Sequence, residues 1–162
     1  MATPVTDNPF AVLTLIAAPA VFTNATSLLA MGTGNRLGRV VDRTRNLMRE
    51  LNDATLEAAT KKLWVSHLSR LERRGALLVR ALSFFYGSIG AFAAASLVSI
   101  MGAVLAASEF RLPSTLTAGI SFVAGSLGFI GLTVGCVFLV TETRLALRSV
   151  YEEAELTKSR YA

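Results

Sequence analysis

A single cysteine, a single histidine and a single tryptophan stand in a chain of 162 residues. One thiol cannot close an internal disulfide, which excludes a disulfide-stapled scaffold and leaves redox compartment unread. Cys136 lies inside an apolar stretch, where a free thiol reads as a small packed hydrophobe. His67 and that distant cysteine supply no ligand set for a metal. No phosphate-binding loop, dinucleotide fingerprint or nucleophile elbow occurs. Within the long apolar stretches no acidic pair of the kind used by proton or cation carriers is found. These absences argue against an enzyme, and no cofactor or metal is expected.

Charge is also scarce. Asp, Glu, Lys and Arg make up 17% of the chain, against about 25% in soluble domains. Three stretches hold none at all: residues 10–31, 81–107 and 112–141, of 22, 27 and 30 residues. About 20 helical residues cross the roughly 30 Å hydrocarbon layer, so each stretch reads as a membrane span. A hydrophobic share of 52% and a mean hydropathy of +0.52 agree with that reading and exclude a soluble globular domain or a disordered tail. The predicted fold is an all-α integral membrane protein forming a single membrane domain. Its spans are placed at about 10–31, 77–107 and 113–141, a cytoplasmic antiparallel helical hairpin at about 35–76, and a cytoplasmic tail at 142–162.

The charges present set the orientation. Fifteen of the 16 basic residues fall between the first two spans or after the third; Arg111 alone lies in the link between spans two and three. Lys and Arg near span ends stay in the cytoplasm. The N-terminus and a tight turn at residues 108–114 are therefore expected outside, and the hairpin and C-terminus inside, a bacterial plasma membrane. Residues 1–9 carry no Lys or Arg, so the charged start of a signal peptide is missing and a retained first span is expected. The net charge of +5 is explained by this topology rather than by nucleic acid, which is not an expected partner.

The first span carries Pro19 and a polar cluster of Thr23, Asn24, Thr26 and Ser27. Such groups either hydrogen-bond between helices or line a polar pathway. The sequon beginning at Asn24 has no meaning inside a span. Gly32 and Gly34, next to Asn35, are expected to hinge the chain, with Asn35 capping the helix that follows. From there Leu37, Val40, Val41, Thr44, Leu47, Met48 and Leu51 trace two heptads of a helix seam. Asn52 and Asp53 supply a turn, Asp53 as an N-cap, and the returning arm has its own seam at Trp64, Leu68, Leu71, Gly75 and Leu78. Nothing but isolated glycines interrupts helix between residues 54 and 108. The seams fit the hairpin packing on itself or on a neighbour. Asp42 is expected to pair with arginines three residues away, and His67 to sit on a solvated face. Arg80 either snorkels to the headgroups or points into the bundle.

Small residues mark faces of the later spans. Ser83, Gly87, Gly90 and Ala94 share one face, and Ser121, Ala124, Gly125, Gly128, Gly131 and Gly135 another. Faces of this kind let helix backbones approach closely in lipid. One can serve packing within the monomer and the other packing between subunits.

Asn35, Arg36, Arg39, Asp42, Arg43 and Arg45 form an Asn-Arg-x-x-Arg-x-x-Asp-Arg-x-Arg motif after a span with a central proline. With the Arg-Leu-Glu-Arg-Arg stretch at residues 70–74, this resembles a family of small three-span bacterial membrane proteins of unknown function. The resemblance implies the bacterial source and three-span layout and implies no activity.

Two function classes follow. The first is a homo-oligomeric membrane assembly, a channel in its sharpest form. Thr23, Asn24 and Ser27 would then line the pore, and Arg36, Arg39 and Arg43 would ring a basic mouth or contact headgroups. The second is a non-conducting scaffold or accessory subunit, whose basic hairpin docks a protein partner or anionic lipid.

Overall fold

Three long helices account for the described residues: α1 (Pro9–Leu51), α2 (Ala58–Ala107) and α3 (Ser114–Tyr161). A computed structural model describes residues 9–52, 58–107 and 114–161, with side chains at 17–52, 61, 64–105, 116–148 and 151. The tail at 1–8, the cap at Asp53 and the turn at 108–113 lie outside the described residues. Stretches of two helices, Trp64–Leu105 and Leu116–Arg148, are long and apolar enough to cross a membrane.

A heptad-like seam organises each helix. On α1, Thr26, Ala30, Thr33 and Val40 are buried, and Leu37, Thr44, Leu47 and Leu51 are half-buried along the same line. On α2 the inward positions are Leu71 and, seven residues on, Leu78, and from there they step by three and four through Ala81, Phe85, Ser88, Phe92 and Ala95, all buried. On α3 they are Ser121, Gly128, Gly135 and Glu142. Alternating steps of three and four keep one stripe facing a partner helix, the packing mode of left-handed bundles. The expected seams at 37–51 and 64–78 thus pack within the chain, and Val41 and Met48 are left exposed at the edge.

The expected hinge at Gly32–Asn35 does not form. Helix α1 passes through it unbroken, and no described glycine has a positive φ. A glycine inside a helix costs about 1 kcal/mol relative to alanine. The burial of Ala30, Thr33 and Val40 on either side outweighs that cost, so Asn35 sits exposed in mid-helix rather than capping anything. The expected Asp42 pairs are also missing among the described residues: Asp42 is exposed and makes no ion pair with Arg39 or Arg45. Exposed pairs contribute so little that solvent competes on equal terms. Arg80 is exposed and does not point into the bundle, and His67 is half-buried rather than on a solvated face. Cys136 is half-buried.

The chain divides into two compact units, one of residues Met1–Ala30 and Phe84–Thr133, the other of Met31–Ser83 and Val134–Ala162. The first is held by small residues and rings. Phe22 stacks on Phe92 with centroids 5.5 Å apart and meets Phe129 edge-on at 5.4 Å. Ser99 Oγ donates to Ser121 Oγ at 3.1 Å. Thr26 and Ser88, both buried, donate to the carbonyls of Phe22 and Phe84 four residues back. Every buried side-chain N or O among the described residues has a partner.

Close approaches fall at Gly128 and Gly131 on α3 and at Gly102 on α2, where a Cβ would lie 2.9 Å from Thr117 Oγ1. A Cβ at Gly131 would lie 2.6 Å from Ser88 Oγ, and one at Gly128 2.8 Å from the Phe92 ring. Nothing lies within 4 Å of Gly87 or Gly90. Gly131→Leu or Gly128→Leu is therefore expected to cost about 1–3 kcal/mol through overpacking, read as a lower Tm in mild detergent. Gly87→Ala and Gly90→Ala should leave Tm unchanged or raise it, because alanine gains helix propensity where nothing is displaced.

Candidate functional site

The second unit closes around one carboxylate. Where α3 passes from its long uncharged run into its charged end, Glu142 is the first charge met, and its position continues the inward stripe of Gly128, Gly131, Gly135 and Leu139. At 100° per residue these positions lie within about 80° of one another. The helix therefore carries the carboxylate to the packed face, where its side chain is only 3% exposed. A buried carboxylate must be paired. Arg74, three residues past the buried Leu71 on α2, supplies the pair: Nη2 and Nε reach the same carboxylate oxygen, Oε1, at 2.8 and 2.9 Å. Arg36 on α1 approaches the other oxygen, Oε2, at 3.6 Å and donates from Nη1 to Thr143 Oγ1 at 3.1 Å. Beneath them Val40, Leu71 and Leu78 form an apolar cluster with Leu37, Leu47 and Leu139, and a Cβ at Gly75 would stand 3.7 Å from Val40.

Above this cluster opens a cleft of about 390 Å³, lined by four arginines (Arg36, Arg39, Arg43 and Arg74) and by Glu142, Thr143 and apolar Val40, Leu71 and Ala146. Arg39 and Arg43 are exposed and have no carboxylate partner among the described residues. Arg36, Arg39 and Arg43 fall within about 60° on one face of α1, so three like charges are held side by side. One glutamate against four arginines leaves the cleft a formal charge of +3. Among the described residues no three His, Cys, Asp or Glu side chains gather to hold a metal.

The remaining candidates are distributed as follows. Thr23 is half-buried, and its hydroxyl donates to the Pro19 carbonyl at 2.8 Å, the acceptor whose usual helical donor lies at that same residue. Ser27 is exposed and donates to the Thr23 carbonyl at 2.8 Å. Asn24 is exposed, while Thr26 faces inward and is fully buried. Gly128 and Gly135 are buried and Gly131 half-buried, Gly125 faces open space, and Gly87 and Gly90 are exposed. The α3 stripe thus packs within the chain and the α2 stripe does not.

Sequence reasoning singled out Arg36, Arg39 and Arg43 and missed Glu142, Arg74 and Thr143 as their companions. The signal was present in the stripe arithmetic on α3: extending the glycine line by two more steps reaches Glu142.

Helices packed along heptad seams, two of them long and apolar enough to span a bilayer, define an all-helical protein compatible with a membrane location. The chain belongs to the DUF2721 family, described as a protein of unknown function, whose model matches residues 16–151. Neither a curated protein nor a solved structure matches it.

Removing the carboxylate takes the counter-charge from Arg36 and Arg74. Glu142→Gln is expected to destabilise by about 2–5 kcal/mol, the range for breaking one side of a buried, hydrogen-bonded pair. Arg39→Gln and Arg43→Gln, which break no ion pair, should each stay within about 0.5 kcal/mol of wild type. Thermal unfolding in one detergent compares all three.

Proposed function

We propose that the chain is a homo-oligomeric protein of the bacterial inner membrane. In this reading it crosses the bilayer three times, with the N-terminus outside and the basic hairpin and C-terminal end in the cytoplasm. The observation that supports self-association is the exposed stripe on α2. Ser83, Gly87, Gly90 and Ala94 are all exposed, and the space beside Gly87 and Gly90 is open. Small-residue faces are what allow helices to associate in lipid, where no hydrophobic force drives them together. Exposed Val21, Leu28, Leu97, Phe122 and Ile130 surround the same helices with apolar surface suited to hydrocarbon.

A channel is the specific form of this proposal. Three helices cannot enclose a pore, but a ring of identical subunits can, with α1 of each presenting Asn24 and Ser27 to the axis. Arg36, Arg39 and Arg43 would then surround the cytoplasmic mouth and favour anions. No catalytic role, cofactor or nucleic-acid partner belongs to the proposal. A second reading is a non-conducting scaffold or accessory subunit that binds a partner or anionic lipid through the hairpin. The arginine cleft favours it, because that cleft is complete within one chain and needs no ring.

Native mass spectrometry from mild detergent separates the two. A closed assembly of four or more subunits is expected for the first, with Gly87→Leu/Gly90→Leu lowering the count while the single-chain fold survives. A monomer or dimer removes a self-formed pore and leaves the scaffold. If a ring is found, anion selectivity in liposomes should fall on Arg36→Gln/Arg39→Gln, and unchanged selectivity would count against the channel.

A further inference from the structure

We infer that the Arg36–Arg39–Arg43–Arg74 cleft is a binding site for a phosphate group. The inference does not depend on self-association, because every residue it uses lies in one unit of one chain. Three features of the cleft carry it. First, its charge is not internally balanced. Glu142 is committed to Arg74 through Oε1 and leans toward Arg36 through Oε2, so Arg39 and Arg43 meet no described carboxylate. Holding Arg36, Arg39 and Arg43 on one helix face is repulsive, and a bound oxyanion relieves that repulsion.

Second, the geometry suits phosphate. Guanidinium groups recognise phosphate oxygens through paired, parallel N–H donors, and Arg39 and Arg43 stand one helical turn apart with those donors unspent. Glu142 fixes Arg74 on α2, and Thr143 holds Arg36 on the same face of α1 as Arg39 and Arg43. Part of the site is thereby pre-organised before any ligand arrives, which lowers the ordering cost of binding. Third, the volume of about 390 Å³ lies within the range of small-ligand sites, and the floor of Val40, Leu71 and Ala146 is apolar.

The phosphate can come from a phospholipid headgroup or from a free phosphate compound. Glu142 directly follows the uncharged run 112–141, and Arg36 lies five residues past the run 10–31. If these runs are spans, the cleft stands at headgroup depth, so the lipid source rests on the membrane reading and the free source does not.

The full-length protein, purified in mild detergent, distinguishes them. One arm measures retention of phosphatidylglycerol against phosphatidylcholine by native mass spectrometry. The other titrates inorganic phosphate and pyrophosphate against thermal unfolding. Preferential phosphatidylglycerol retention assigns a lipid, and a saturable shift with pyrophosphate assigns a free phosphate compound. In whichever arm binds, Arg39→Gln/Arg43→Gln should weaken binding on the order of ten-fold or more. The single variants should each lose part of it, which keeps the test informative if the double variant does not fold. Arg45→Gln/Arg49→Gln removes the same charge from the same helix away from the cleft and should bind as wild type. Binding in neither arm, equal loss in both double variants, or wild-type binding by the Arg39 and Arg43 variants overturns the site. None of these outcomes bears on the subunit count, so the two proposals fail separately.

Discussion

The carboxylate of Glu142 is the constraint on which the charged unit depends. It is buried on α3, and burying it alone would be prohibitive. Its two oxygens therefore draw one arginine from each of the other helices, Arg74 from α2 and Arg36 from α1. Such a pair contributes little net stability when formed, because desolvation offsets most of the attraction. Its removal is what costs, and that asymmetry makes it a positional device. A heptad seam alone is poorly fixed against a slip by one repeat where apolar residues stand seven apart, as Val40 and Leu47 do on α1 and Leu71 and Leu78 on α2. A single buried carboxylate with two specific partners does not tolerate it.

The two units are held by different physics. In the charged unit, Val40, Leu71 and Leu78 form a leucine-rich cluster of the kind found in soluble bundles, completed by ion pairing. In the other, small residues and rings dominate. Gly128 and Gly131 admit Phe92 and Ser88 at distances a side chain would forbid, Thr26 and Ser88 return their hydrogen bonds to their own helices, and Ser99 bonds Ser121 across two helices. Close backbone approach and internally satisfied hydroxyls are the means by which helices associate where surrounding hydrocarbon offers no hydrophobic driving force. The change in packing chemistry tracks the change in charge density along each helix.

Much of this was legible in the sequence, and the failures are instructive. The seam at Leu37, Val40, Thr44 and Leu47 and the α3 stripe at Gly128 and Gly131 follow from spacing alone, because a helix has one period and burial must follow it. The hinge at Gly32–Asn35 was misread because glycine pairs and asparagine are local turn signals. A seam buried on both sides of them supplies tertiary packing that local propensity does not register. Asp42 drew attention as an acidic residue among arginines, yet the acidic residue that organises the arginines is Glu142, 100 positions later. Sequence proximity favoured an exposed i,i+3 pair worth little, while the long-range partner could be found only by carrying the α3 stripe into its charged end. Which small-residue face packs inside the chain was open in the sequence, since both α2 and α3 satisfy the same pattern.

The proposed topology puts the charged unit on the cytoplasmic face of a three-span protein. Cysteine accessibility tests that most directly, and the single native thiol makes it clean. In a Cys136→Ser background, one cysteine at a time is introduced by Thr6→Cys, Ser69→Cys, Ser108→Cys or Ser159→Cys, and a membrane-impermeant maleimide is added to intact cells. Labelling at positions 6 and 108, with positions 69 and 159 protected until the cells are lysed, is the predicted result. Labelling of position 69 from outside, or position 6 protected together with position 69, would contradict it.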